Sequence, residues 1–265
     1  MSEDKTIALG HPSYVWRAGQ DRRLKLMQDH VPLTDRRILD VGCGVGMYVR
    51  AFSAFSAHVY GVDVDLERAR QAGGLVSRAS VSVAPAERLP FPDATFDVVL
   101  LHEVIEHVDD DAQALAEACR VTQPGGHVII FAPNRRYFFE THGAYFGRRY
   151  VFGLIPLVNW LPDALRRRFC PHVRAYTPRA IRRLLAPLPC QVTAFTQIYP
   201  GYDNVAARRP RLAAILRRLT YGLEQTPLRA FGLSHFVVVR KREAANTPAP
   251  AAFGAGSHPT NTQKS

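Results

Sequence analysis

Two groups of residues in this 265-residue chain combine side-chain types and spacings that chemistry needs. The first is Asp40-Val41-Gly42-Cys43-Gly44-Val45-Gly46, an acid followed by three glycines at alternate positions. Glycines there let the backbone turn sharply out of a strand and approach a ligand where a Cβ would obstruct it. Asp63 follows Gly46 by seventeen residues (63 − 46) at the end of the next apolar run. A carboxylate in that place accepts hydrogen bonds from both hydroxyls of a ribose. The second group is His102-Glu103-Val104-Ile105-Glu106-His107-Val108. If this stretch is one helical turn, Glu103 and Glu106 share a face with His107, and two oxygens and a nitrogen converge. Such a set can orient a hydroxyl and take its proton.

The elements that must position these groups follow from the pattern of apolar residues. Arg37 to Val41 is a short strand running into the glycines, and Met47 to Phe55 has helical character. His58 to Asp63 is a second strand, and Asp65 to Gln71 a charged helix that Gly73-Gly74 is expected to stop. Further strands are expected at 81–84, 96–101 and 127–132, with a helix over 110–121 between the last two. The near-continuous apolar runs at 96–101 and 127–132 are those of parallel strands covered on both faces. With 190–198 and 234–240 as a closing antiparallel pair, the fold class is α/β. The architecture is a doubly wound, Rossmann-like seven-stranded sheet with an antiparallel last strand and an insertion after strand five. In such sheets ligands bind outside the carboxyl ends of the strands, where both reactive groups fall.

The domain organisation read from the chain is an N-terminal helical segment, 1–35, with an amphipathic helix over 12–30, and one domain over 36–242. Within it, 134–176 is an insertion serving as lid or acceptor region, followed by helices at 177–185 and 208–222. Residues 243–265, rich in Ala, Pro, Gly, Thr and Asn, are expected to be a disordered tail.

Three features depart from a dinucleotide fingerprint: the spacing is Gly-x-Gly-x-Gly, an acid precedes it, and Ala86-Glu87-x-Leu89-Pro90-Phe91 follows strand three. In these the chain resembles the class I S-adenosylmethionine-dependent methyltransferases, over roughly residues 36–132. The resemblance implies that Asp40, Gly42 and Gly44 line the methionine part of the cofactor, that Asp63 and Val64 hold the ribose and adenine edge, and that Ala86 and Glu87 flank the adenine. Cys43, Gly46 and His102 complete the expected cofactor wall, Cys43 as a small apolar filler. Where the family usually has Gly-Asp before Ala-Glu, this chain has Ala84-Pro85. The familiar carboxylate partner of the adenine amino group is therefore missing.

The Glu-x-x-Glu-His stretch looks like that of quinone-biosynthesis O-methyltransferases and small-RNA 2′-O-methyltransferases, in which the motif holds a divalent metal beside the acceptor hydroxyl. The resemblance implies Mg²⁺ as a candidate cofactor on Glu103, Glu106 and His107, with His172 as a candidate fourth ligand. The alternative is metal-free, with His107 as base and the two glutamates as orienting acids. His142 either reaches the acceptor or braces its own loop.

Lys and Arg number 34 against 23 acids, a net charge of +11, and the arginines concentrate in the second half. In 134–176 they interleave with aromatics such as Phe138, Phe139, Phe152 and Trp160, a mixture that suits an interface with anionic headgroups. A lid packed wholly on the domain is the competing reading, and nucleic acid fits less well. The expected acceptor is a small lipophilic molecule, a quinone precursor, phenol or lipid-like metabolite, methylated on oxygen. Rivals are C- or N-methylation, RNA methylation, a non-catalytic lipid- or RNA-binding module on the same fold, and a nicotinamide oxidoreductase, which the glycine spacing disfavours. Four dispersed cysteines with no Cys-x-x-Cys pair, no export signal and no long apolar run give an expectation of a reducing cytoplasm, with peripheral contact at the inner face of the membrane.

Overall fold

In a computed structural model residues 15–76 and 79–243 are described; the expected start of the first helix at 12 and the tail 244–265 lie outside them. The described residues begin with α1 (Ala18–His30) and enter β1 (Ile38–Val41), buried at all four positions. Then come α2 (Met47–Phe52), β2 (Val59–Asp63), α3 (Leu66–Leu75) and β3 (Ser80–Val83). The second half of the winding is β4 (Phe96–His102), α4 (Asp111–Val121) and β5 (Thr122–Pro133). Side chains at helix starts satisfy orphan amides: Asp65 accepts from Glu67 N and Arg68 N, and Asp110 from Gln113 N. Gly73 and Gly74 do not stop α3, which continues to Leu75. Gly74 faces open space and Gly73 lies beside Val81, and a helix held by its buried Ala69 and Ala72 tolerates their weak propensity.

β6 (Phe139–Glu140) pairs with β9 (Ile155–Pro156), and β7 (Ala144–Phe146) with β8 (Arg149–Val151). A 3-10 turn, Val158–Trp160, leads into α5 (Asp163–Phe169), and α6 (Pro178–Leu185) starts at Thr177, whose hydroxyl accepts from Ala180 N. β10 (Cys190–Ile198), α7 (Asp203–Ala206), α8 (Pro210–Leu223) and β11 (Ser234–Lys241) complete the described elements.

The main sheet has seven strands in the order β10-β11-β5-β4-β1-β2-β3. β1 to β5 are mutually parallel, and β11 runs antiparallel to both of its neighbours, β5 and β10. Ile38, Leu100, Ile129, Phe131 and Phe236 pack on one face with Phe52, while Leu39, Leu101, Ile130 and Val237 pack on the other with Leu115. The winding reverses between β1 and β4, which opens a crevice at their carboxyl ends. Strand five is longer than its apolar run because Thr122 pairs with Phe96. Folding also brings the Sγ atoms of Cys119 and Cys190, 71 residues apart in sequence, to 2.9 Å, both as free thiols.

The segment 134–176 has a small core of its own, Ala144, Val158, Cys170 and Val173. Beneath it lies a buried polar network. Arg166 donates to Glu140 Oε2 (2.6 Å), Asn159 Oδ1 (3.1 Å) and the Val173 carbonyl (2.8 Å), while Glu140 Oε1 accepts from Thr141 N, His142 N and the His142 ring. Burial alone would push the Glu140 carboxyl up, but His142 and Arg166 hold it at about 2. A carboxyl depressed by folding adds stability above its unfolded range and loses it as pH falls through the folded value. Amide protection over residues 139–173 should therefore collapse between about pH 4.3, the free glutamate value, and about pH 2. Glu140→Ala should remove that protection at neutral pH, by about 3 kcal/mol for a broken buried pair. Unchanged hydrogen exchange in the variant would show that the network does not hold the segment.

Candidate functional site

The glycine turn is wedged between two elements. Gly42 has φ +68°, and a Cβ on it would stand 2.6 Å from Val104 Cγ2; Gly46 has φ +86°, and a Cβ there would meet the Ala72 backbone at 2.9 Å. Asp63 orients the turn: Gly44 N–H donates to Oδ2 (2.8 Å) and Asp65 N–H to Oδ1 (2.9 Å). One carboxylate thus ties β1, β2 and the start of α3 together. Asp40 is buried, and burial, then the charge of Asp63, pushes its carboxyl up. The same causes raise the Cys43 thiol far out of the nucleophilic range, which suits a packing role.

A cavity of about 330 Å³ opens over this turn, lined by Gly42, Asp63, Val64, Ala86 and Glu87 together with Glu103 and His107. Val64 is 52% exposed into it. Cys43, Gly44 and Gly46 shape the turn, while the His102 ring lies elsewhere, against Tyr48 (centroids 4.7 Å apart) and Phe131 (5.1 Å). Burial and the neighbouring Arg23 hold that imidazole neutral, at about 3. The carboxylate of Glu87 is occupied, accepting from Asp109 N (2.9 Å). Pro85 lines the cavity where an acid was sought, and Arg68 and Asp109 line it as well. Sequence reasoning passed over these two because neither belongs to a motif; folding alone brings them to the crevice.

The second group departs from the expected helical turn. Glu103 has φ +56°, and residues 104–107 form a single turn closed by His107 N–H donating to the Val104 carbonyl (2.9 Å). The left-handed residue turns Glu103 to Ser234 Oγ–H (2.8 Å) and the Arg23 guanidinium (3.4 Å), beside the Glu106 carboxyl but outside the group that Glu106 forms with the two histidines. Burial opposes its charge, but Arg23 and its neighbours hold Glu103 at about 2. Glu106, His107 and His142 come together instead, with ligand atoms all within 4.8 Å of one another. His172 is not in that trio. Its Nε2 lies 3.4 Å from the His142 carbonyl oxygen and its ring packs on Tyr145 and Tyr150.

Both carboxylate oxygens of Glu106 are buried with no hydrogen-bond partner among the described residues. Burial, then the charge of Glu103, pushes this carboxyl up. Burial and His142 lower His107 to about 4, so its imidazole is neutral at physiological pH, and its buried Nδ1 has no hydrogen-bond partner among the described residues. The return of the 134–176 segment fastens the turn: Tyr176 Oη–H donates to the Ile105 carbonyl (2.8 Å) and Arg174 N–H to that of Glu106 (3.0 Å).

Other cavities share walls with the cofactor cavity. His107 is shared with a cavity of about 560 Å³ that also meets Glu106, His172 and Arg174. Glu103 is shared with one of about 200 Å³, whose Arg23, Tyr137 and Phe139 also line one of about 450 Å³ with Leu154, Tyr199 and Leu216.

A sheet with one antiparallel penultimate strand, a glycine turn after β1 and an acid after β2 defines the class I methyltransferase architecture. Comparison with known proteins agrees: residues 39–130 match the family profile described as "Methyltransferase domain". The ubiquinone biosynthesis O-methyltransferase of Marinobacter nauticus is 31% identical over 144 residues, 51% of this chain and 59% of that protein. The protein of the same name from Aromatoleum aromaticum is 29% identical over 191 residues, 67% of this chain and 76% of that one. An S-adenosylmethionine-dependent methyltransferase structure from Mesorhizobium loti superimposes with a TM-score of 0.58 at 18% identity, covering 84% of this chain and 98% of that one. The chain has the class I methyltransferase fold and carries a methyltransferase domain over residues 39–130. It spans 40–59% of the length of the curated relatives that it matches first.

Proposed function

We propose that this chain transfers the methyl group of S-adenosylmethionine to an oxygen of a small lipophilic acceptor, such as a quinone precursor, a phenol or a lipid-like metabolite. The observation that carries the reading is the shared wall at Glu103. It stands between the cofactor cavity and a pocket whose Arg23, Tyr137 and Phe139 also line a larger cavity with Leu154 and Leu216, where an apolar body could lie. The names of the ubiquinone-biosynthesis relatives support oxygen as the atom methylated. We take 36–242 as the catalytic unit, with 134–176 as its lid. The acceptor's character favours a cytoplasmic enzyme that visits the inner face of a membrane, and the exposed Phe138, Phe152 and Trp160 support such visits. No helix among the described residues is long and apolar enough to cross one.

Methyl transfer is one in-line displacement: the acceptor oxygen bonds to the methyl carbon, the sulfur keeps the electron pair of the broken bond, and the acceptor proton must leave. Alignment of the reactants supplies several kcal/mol of the acceleration, on the order of 7 or more. The neutral His107 would receive the proton at its free ring nitrogen. The one carboxylate and two imidazoles of Glu106, His107 and His142 do not fit Mg²⁺, which takes oxygen ligands, and would instead suit a divalent cation that accepts nitrogen, such as Mn²⁺ or Zn²⁺. When bound, such an ion lowers the pKa of an oxygen beside it. Incubation with labelled cofactor and a lipid extract should yield a labelled O-methyl product. Absence of cofactor binding in calorimetric titration would overturn the enzyme reading, and label on carbon or nitrogen its finer part.

A further inference from the structure

α8 (Pro210–Leu223) is inverted relative to a helix that packs on a soluble core. Polar groups hold its inner side: the Arg217 guanidinium donates to the Gly201 carbonyl (2.7 Å) and to Asp203 (3.1 Å), and the Tyr221 ring lies beneath Arg22, 3.8 Å away. Ala213 is the one buried residue of the helix. Apolar groups take the outer side, with Leu212 40% exposed, Ile215 56% and Leu219 62%. Their spacings of three and four residues put them in one stripe.

Charge flanks that stripe on one sign only. Residues 208–223 contain five arginines and no acid, and Arg208, Arg209, Arg211 and Arg218 are all exposed. The acid that follows, Glu224, is already taken by an ion pair with Arg22. Leucines between guanidinium groups match a surface that is anionic outside and apolar just beneath. Leu216, between Ile215 and Leu219 in the helix, lines the 450 Å³ cavity beside Leu154.

We propose that α8 is an interfacial helix that docks on an anionic bilayer, with Leu212, Ile215 and Leu219 at the headgroup–acyl boundary and the arginines on the phosphates. The cavity over Leu216 then opens toward the lipid, a placement that rests on the proposed function; the docking itself does not. A polyanion such as RNA would engage the arginines and leave the leucines without a role.

The test is sedimentation of the full chain with phosphatidylcholine vesicles, with and without phosphatidylglycerol. The wild type should bind only the anionic vesicles, less as salt rises. Leu212→Ser/Ile215→Ser/Leu219→Ser should lower partitioning about tenfold or more, and Arg208→Gln/Arg209→Gln/Arg211→Gln should lower it as well. Both variants should retain wild-type calorimetric binding of S-adenosylmethionine, which reports an intact fold. Wild-type partitioning by the leucine variant, or no vesicle binding by the unaltered chain, would overturn the proposal. So would binding of single-stranded RNA that competes with vesicles and ignores the leucine substitutions.

Discussion

Asp63→Ala should bind S-adenosylmethionine at least about 100-fold more weakly than the unaltered chain. In the structure each oxygen of this carboxylate holds one backbone amide, Gly44 N–H at one end and Asp65 N–H at the other. Hydrogen bonds to a charged group contribute about 1.5–3 kcal/mol each, so losing both costs about 3 kcal/mol or more, and 1.4 kcal/mol is a factor of ten. The ribose contact proposed for the same group adds to that. Asp63→Asn is the informative companion, because an amide still accepts from one backbone N–H but presents its own N–H to the other. It should fall between wild type and Ala. Isothermal titration supplies both numbers, and a loss under about threefold in the Ala variant would remove Asp63 from the cofactor site.

Glu106→Gln should separate stability from turnover. The folded chain raises the pKa of Glu106 through burial and the nearby charge of Glu103. A group with a raised folded pKa contributes most below its unfolded range, near pH 4.3, and that contribution is lost as pH rises toward the folded value. Gln is uncharged throughout, so the variant should be more stable at neutral pH and no different near pH 4. A buried polar group left without a partner costs about 2 kcal/mol, which at about 2–4 °C per kcal/mol for a chain of this size corresponds to roughly 4–8 °C in Tm. Turnover should fall about 100-fold. Scanning calorimetry with and without Mn²⁺ adds a second axis: the ion should raise the Tm of wild type and leave that of the variant unchanged. A variant no more stable than wild type at pH 7 would mean that Glu106 already has a partner in solution.

The sheet was readable because its strands are apolar runs bounded by acids and glycines, and a parallel strand covered on both faces has no other way to be written. The crevice followed from the same signals, since Asp40 to Gly46 and Asp63 lie at strand ends that only one winding brings together. The reach of α3 through Gly73-Gly74 was not readable, because tertiary packing at Ala69 and Ala72 overrides the local preference. Nor was the grouping at the reactive turn. Residue spacing on an ideal helix joined Glu103 to Glu106 and His107, whereas one left-handed residue, held by Ser234 from the last strand and Arg23 from the first described helix, keeps Glu103 beside Glu106 but outside the group with His107. His142 replaces Glu103 in the group, and nothing local to 102–108 could have pointed to a residue 35 positions away (142 − 107). Arg68 and Asp109 illustrate the same limit, entering the cavity through the packing of loops.

The tethers from Tyr176 and Arg174 to the backbone at Ile105 and Glu106 join two parts that the chain separates by about 70 residues. If 134–176 serves as the proposed lid, it could not swing outward without dragging on the peptide units that carry Glu106 and His107. Opening for release and disassembly of the proposed reactive group would then be one movement, and the methyl donor would meet open water only when nothing is poised to use it.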